Sequence, residues 1–155
     1  MKPVYLVSCV STKAAQIARA ADLYQSDWFR KARAYVEATG CRWFILSAEH
    51  GLLRPGARIA PYDTTLAAIG ASGRREWGAR VSAELADAIG PRTPVVIMAG
   101  KLYREPLAEW AGKRATIPME GLGIGEQKAW LAARLAELRD RAARAAQLEL
   151  FPELT

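Results

Sequence analysis

The sequence predicts an α/β domain: a mainly parallel sheet of about four or more strands, flanked by helices and closed by a long C-terminal helix. Two observations carry this expectation. Short apolar runs alternate along the chain with longer segments whose apolar residues recur at helical spacing. Each clear apolar run also ends in small or polar residues, as strands do where a parallel sheet opens on a binding site. A length of 155 residues suits one domain with one hydrophobic core.

Residues 4–9 form the first apolar run and read as a buried strand, followed by a loop at "VSTKAAQ". Residues 18–38 read as helix, with Leu23, Trp28, Phe29, Ala32 and Tyr35 near one face. A break at Ser26-Asp27 is expected, with Asp27 as the cap of a second segment, and Gly40 ends the helix. Residues 42–47 are the second strand. The long loop over 48–73 has room for one helical turn at 65–69. Residues 75–89 make an amphipathic helix, because Trp77, Val81, Leu85 and Ile89 recur every four residues. Gly90-Pro91 stops it. Residues 94–99 are the third strand, 101–110 a short helix, and "RATIPM" a candidate fourth strand. Residues 125–147 form the last helix, with Trp130, Leu131, Leu135 and Leu138 on one side. The domain is therefore expected to span 1–146, with a tail at 147–155.

Composition narrows the function classes. No apolar run is long enough to span a bilayer, so no membrane partner is expected. "MKPVYLVSC" is too short in apolar length for a signal peptide and reads as a strand, which makes a cytoplasmic protein the expectation. Two cysteines make no disulfide framework. One histidine and two cysteines are too few for a conventional zinc site, although carboxylates could hold a hard cation. No cofactor is expected. The net charge of +6 favours polyanionic partners, but an arginine-rich soluble surface gives the same charge.

If the strands are parallel, their carboxyl ends converge on one edge. That edge would gather Ser8, Cys9 and Lys13 from the first strand, Ser47 and His50 from the second, and Gly100, Lys101 and Tyr103 from the third. Tyr62 and Asp63, at the end of the long loop, would fold back as a rim. Each residue also has a plainer reading. His50 can satisfy a turn before Gly51, and Asp63 can cap a helical turn at Thr64-Thr65. Cys9 can be a small buried hydrophobe, and the tyrosines can be core residues. The glycines of "MEGLGIGEQ" open the last helix, where free amides could hold an anion. A tight packed turn is the simpler account, and Glu126 there favours the helix dipole over an anion.

Several of these motifs have a familiar combination. "ILSAEHGLLRPGARIAPYD" (45–63) resembles the segment of the YaaA peroxide-stress protein family that reads roughly Leu-Ser-Gly-x-Tyr-Gly-Leu-Leu-Arg-Pro, then Pro-Tyr. "LYQSDWFRKARAY" (23–35) is similar to that family's preceding helix, and "SCVSTK" (8–13) stands where it has Ser-Pro-Ala-Lys. More similar still is a domain family of bacterial and phage genomes in the same apparent superfamily. Its pattern looks like Ser-Cys-x-x-x-Lys, Leu-Tyr-x-Ser-x-x-Phe, Leu-Ser-Ala-x-His-Gly-Leu and Ala-Gly-x-x-Tyr. A domain of archaeosine synthases shares something of the first two signatures. The resemblance covers about residues 3–131. It implies an α/β fold with a positively charged cleft, DNA binding as in the YaaA relatives, and base-modification chemistry nearby. The chain departs from YaaA in having His50 for tyrosine and Cys9 at a proline-type position. It is also shorter, with little room for a helix-hairpin-helix insertion, so YaaA's particular way of binding DNA is not implied.

At the other end of the chain, Gln147-Leu148-Glu149-Leu150-Phe151 resembles the pentapeptide by which bacterial polymerases and repair proteins dock on the sliding clamp. Gln147 would meet a polar subsite and Leu150 and Phe151 fill an apolar pocket, with Leu148 also in the clamp-binding segment. The alternative is that these apolar residues anchor the terminus on the domain.

The expected function is a DNA-binding, base-processing enzyme that cleaves or exchanges an N-glycosidic bond, as a DNA glycosylase does. Such an enzyme extrudes its base into a pocket. Tyr24, Tyr62 and Tyr103 could stack on it, and Ser8, Ser26 and Ser47 could bond its edge. His50 and Asp63 are the candidate catalytic pair. Arg54, Arg58, Lys101 and Arg104 are the candidate phosphate contacts. The competing expectations are a non-catalytic DNA-binding accessory protein tethered to the clamp, and an enzyme acting on free nucleosides or nucleotides.

Overall fold

The computed structural model describes residues 1–151 and Glu153. Its centre is β1 (Val4–Ser8), all five residues of which are buried. A strand covered on both faces reads as a continuous apolar run, and so this one does. β1 pairs in parallel with β3 (Trp43–Ser47) on one side and with β6 (Val95–Met98) on the other. β7 (Ala115–Thr116) adds in parallel to β6, and β4 (Gly51–Leu53) adds antiparallel to β3, giving the order β4-β3-β1-β6-β7. The expected α/β class and mainly parallel sheet are thus observed. Only Ala115 and Thr116 of "RATIPM" pair as strand.

The segment expected as one broken helix is divided further. Ala18–Arg19 is an extended strand, β2, which pairs antiparallel with β5 (Arg58–Ile59). A single turn follows as α1 (Ala20–Leu23), and then α2 (Asp27–Ala38). The break falls where the sequence suggests, but the cap is Ser26: its Oγ accepts the Phe29 N–H at 3.0 Å. β5 and the hairpin strand β4 occupy what reads in the sequence as open loop, and β2 stands where the helix was expected to begin. A two-residue strand carries too little periodicity to be seen from pattern alone.

α3 (Gly70–Ala88) begins earlier than its apolar spacing suggests, because a turn at residues 66–69 runs straight into it. Gly78 lies in its middle for a packing reason. A Cβ there would sit 2.6 Å from the Pro106 Cβ and 2.7 Å from its carbonyl oxygen. After β6 come α4 (Lys101–Arg104), a 3-10 turn at Glu105–Leu107, and α5 (Ala108–Ala111). α6 (Ile124–Leu150) closes the chain.

Parallel crossovers to either side of β1 are expected to be right-handed, which puts their helices in two layers. α2 packs with α6 on one face, and α3 packs with the Glu105–Leu107 turn on the other. α6 docks by its first part alone. Leu131 is its one buried residue, and the Trp130 ring meets Tyr35 edge-on at 5.5 Å. From residue 139 onward its side chains are exposed. No helix among the described residues is long and apolar enough to cross a membrane.

Candidate functional site

The parallel strands run b-a-c-d in chain order, since β3 lies on one side of β1 and β6 and β7 lie on the other. The connections therefore diverge between β1 and β6. In open α/β sheets, such a point leaves a crevice beyond the carboxyl ends of the two strands. A crevice of about 420 Å³ lies there, lined by Ser8 of β1, Gly100 after β6, Ser26, Asp27 and Trp28 at the start of α2, and Gln127 and Lys128 of α6. Ser8 ends β1 at this crevice. That residue is 8% exposed, and among the described residues its hydroxyl has no hydrogen-bond partner.

The walls are fixed by contacts between the helices. The Trp28 indole N–H donates to Gln127 Oε1 at 2.9 Å, and Gln127 Nε2 donates to the Leu122 carbonyl at 2.9 Å. Asp27 sits at the rim, within 2.9 Å of Lys31 Nζ and 3.4 Å of Lys128 Nζ. Its hydrogen bond from Lys31, with a smaller one from Lys128, holds the carboxyl below the usual carboxylate range. It is an anion at neutral pH.

A second polar assembly lies beyond β3. Ser47 is fully buried. Its Oγ accepts the His50 N–H at 3.0 Å and hydrogen-bonds with the Tyr62 hydroxyl at 2.7 Å. The Tyr62 hydroxyl in turn hydrogen-bonds with that of Tyr24 at 2.7 Å. The Trp77 indole N–H donates to the Ser47 carbonyl at 2.9 Å. Beside this, Cys9 Sγ and the Tyr103 hydroxyl are 3.2 Å apart. Lys13 Nζ lies 4.3 Å from the Tyr62 ring centroid, and the His50 ring meets Tyr62 edge-on at 5.3 Å. Burial pushes Tyr24 up to about 12. Burial first, and then the nearby Cys9 thiol, raises Tyr62 and Tyr103 well above the ordinary phenol range. These phenols stay neutral, so they can donate and accept hydrogen bonds but do not act as bases at physiological pH.

The structure thus sorts the residues expected at the site into groups. Ser8, Ser26 and Gly100 line the crevice. Cys9, Tyr24, Ser47, Tyr62 and Tyr103, with Lys13 and His50 against them, form the partnered knot. Lys101 and Arg104 line an adjoining cleft of about 400 Å³. Asp63 is exposed and lines neither hollow, and it caps nothing: Thr65 Oγ1 accepts the Ala68 N–H instead. Thr64 hydrogen-bonds to Glu49, which pins this loop to the turn after β3. β4 runs back down the sheet, so Arg54 emerges beside Phe44, 5.7 Å from its ring, and Arg58 lies on β5. Neither arginine shares a cleft with Lys101 and Arg104.

Asp27, Trp28, Ile124, Gln127 and Lys128 line the crevice and escape the sequence reading. A signal was present: the glycine-rich opening of α6 follows a strand that ends at the same edge. That opening holds no free end for an anion at Gly123, whose N–H donates to Glu126 Oε1 at 3.2 Å. Gln147, Leu148 and Leu150 form the last turn of α6, with Phe151 just after it. Leu148, Leu150 and Phe151 are all exposed, so they do not anchor the terminus on the domain. Pro152, Leu154 and Thr155 of the expected tail lie outside the described residues.

A larger hollow, about 670 Å³, lies at the opposite end of the sheet between the end of α3 and residues 110–114. Its arginine is engaged: Arg114 stacks 4.4 Å from the Trp110 ring centroid and donates to the Gly90 carbonyl at 2.6 Å. Ligands of open α/β sheets sit at the carboxyl ends, so the smaller crevice is the candidate site.

In comparisons with known proteins, residues 4–133 match a family described as "Family of unknown function (DUF6884)". No curated protein matches the chain.

Proposed function

The chain belongs to the DUF6884 family, and we propose that it binds a nucleobase in the crevice between β1 and β6 and breaks or exchanges the bond joining that base to its sugar. The observation that carries this reading is Ser8: a nearly buried residue whose hydroxyl bonds no protein group among the described residues and opens on a crevice at the switch point of the sheet. Ser8, Ser26 and Gln127 are neutral donors and acceptors, and Trp28 brings an aromatic wall. This set suits the edge and face of an uncharged heterocycle. The net charge of +6 suits the polyanion that carries such bases. The resemblance to the YaaA family supports DNA as that polyanion, and a cytoplasmic location goes with it.

In the hydrolytic form of the reaction, a water oxygen bonds to the sugar C1′ as the C1′–N bond breaks. The bonding pair leaves with the base, which takes up a proton. Positive charge develops on the sugar, and a carboxylate beside it lowers the barrier. We assign that role to Asp27, ionised at the crevice rim, rather than to the exposed Asp63, which lines neither hollow. Among the described residues His50 does not line the crevice, and its ring packs against Tyr62.

The test is incubation with unmodified and modified DNA, followed by mass spectrometry for released bases and abasic sites. Asp27→Asn should abolish release, and Asp63→Asn should leave it intact. The reverse result would return the role to Asp63, and no release from any substrate would remove the enzymatic reading.

The exposed end of α6 favours a second reading, a DNA-associated accessory protein held by the sliding clamp through Gln147, Leu148, Leu150 and Phe151. Deleting residues 147–155 should then abolish clamp binding without changing the fold, which surface plasmon resonance against the clamp would show.

A further inference from the structure

We propose that the cleft beside the crevice is a phosphate subsite, so that the ligand is a nucleotide unit with its base over Ser8 and its phosphate against Lys101 and Arg104. This rests on the nucleobase reading above. The two hollows share Gly100 and Gln127, so one extended ligand can occupy both. The adjoining cleft, about 400 Å³, is lined by Lys101, Arg104, Glu120 and the glycine turn at 121–123.

Arg104 is the anchor of the argument. Its side chain is only 16% exposed, and its Nε is buried with no acceptor. The nearest carboxylate, Glu120, stands 3.9 Å from Nη1, beyond hydrogen-bond length. The Nη groups of Arg104 also make no hydrogen bond among the described residues, so they are left for a ligand in the cleft. Phosphate oxygens fit the planar fork of arginine. Lys101 is exposed in the same cleft and forms no ion pair among the described residues. A Cβ at Gly100 or Gly121 would meet nothing within 4 Å, so the backbone there is open to close approach. Glu120 is the one opposing charge, and at 63% exposure it is free to turn outward.

The phosphate could belong to a free nucleotide or to a nucleic-acid strand. Calorimetric titration with the ordinary nucleosides, their 5′-monophosphates, short single-stranded oligonucleotides and inorganic phosphate separates these sources. The 5′-monophosphate or the oligonucleotide should bind at least about tenfold more tightly than the nucleoside, and whichever binds tighter names the source. Arg104→Gln should bring that affinity down to the nucleoside's, and Lys101→Gln should do so in part. Glu120→Gln should tighten phosphate-bearing ligands and leave nucleoside binding unchanged. Near-ultraviolet circular dichroism checks that Arg104→Gln folds, and the exposed Lys101 and Glu120 carry the test if it does not. Equal affinity for nucleoside and monophosphate, with no gain in the oligonucleotide, would overturn the subsite while leaving the nucleobase reading standing. Absence of binding by all four classes of probe would remove both.

Discussion

Ser8 and Ser47 end adjacent parallel strands one step apart in register, for Ser8 pairs with Leu46. In the sequence they are interchangeable: each is a serine closing an apolar run. In the fold their surroundings are opposite. Ser47 is bonded on every side, to the His50 N–H, to the Tyr62 hydroxyl, and through its carbonyl to Trp77. Ser8 is almost as buried, yet its hydroxyl has no partner among the described residues and faces a crevice. The same residue type at the same strand position therefore serves two ends. Partnered polar groups hold the long loop on the sheet, and the unpartnered one marks where a ligand belongs. Burial alone does not separate these roles; the inventory of partners does.

The comparison can be strained most severely at Trp77. It is 5% exposed, packs edge-on against Tyr103 at 5.6 Å and donates to Ser47. Trp77→Ala should cost about 3–5 kcal/mol in urea unfolding, because it empties a core site and orphans the Ser47 carbonyl. A loss under about 1 kcal/mol would mean that the knot does not hold the β3 end as described.

The next effect is alkaline. Tyr24 titrates near 12 in the fold against an ordinary 10. Folding thus favours the neutral phenol, and its contribution is whole below pH 10. It is lost as pH rises from 10 to 12, where the unfolded chain ionises and the folded one does not, for a total of about 2–3 kcal/mol. Tyr24→Phe should flatten this part of the stability–pH profile. Ser47→Ala follows, at about 1–3 kcal/mol, since it takes the partner from both the His50 N–H and the Tyr62 hydroxyl in a part-buried site.

Much of this fold is legible in the sequence because its central strands are unbroken apolar runs and α3 carries a regular stripe. The convergence of Ser8 and Gly100 follows from parallel strands alone. What the sequence hides are the short elements and the partners. β2 and β5 hold two residues each, and they stabilise one another by a pairing that no local pattern foretells. β4 turns Arg54 away from the site because an antiparallel hairpin reverses direction there, which a loop reading cannot show. His50 and Asp63 read as a catalytic pair because the chemistry needs an imidazole or carboxylate, one following a strand end and the other on a loop expected to fold back over it. The fold stacks one against Tyr62 and leaves the other in solvent. Gln127 and Trp28 join across 99 positions of sequence, so neither announces the other.

The smallest change in stability should be the most telling. Ser8→Ala removes a hydroxyl that forms no bond to a protein group among the described residues, so unfolding should shift by no more than about 1 kcal/mol. Ser47→Ala, one strand away, should lose stability. The two alanine variants are therefore expected to move the urea midpoint by clearly different amounts. Ligand binding should show the inverse pattern, weakened by Ser8→Ala and retained in whatever fraction of Ser47→Ala is folded. If Ser8→Ala instead destabilises as much as Ser47→Ala, its hydroxyl is already in use within the fold. The crevice would then lose the one group that marks it as a site.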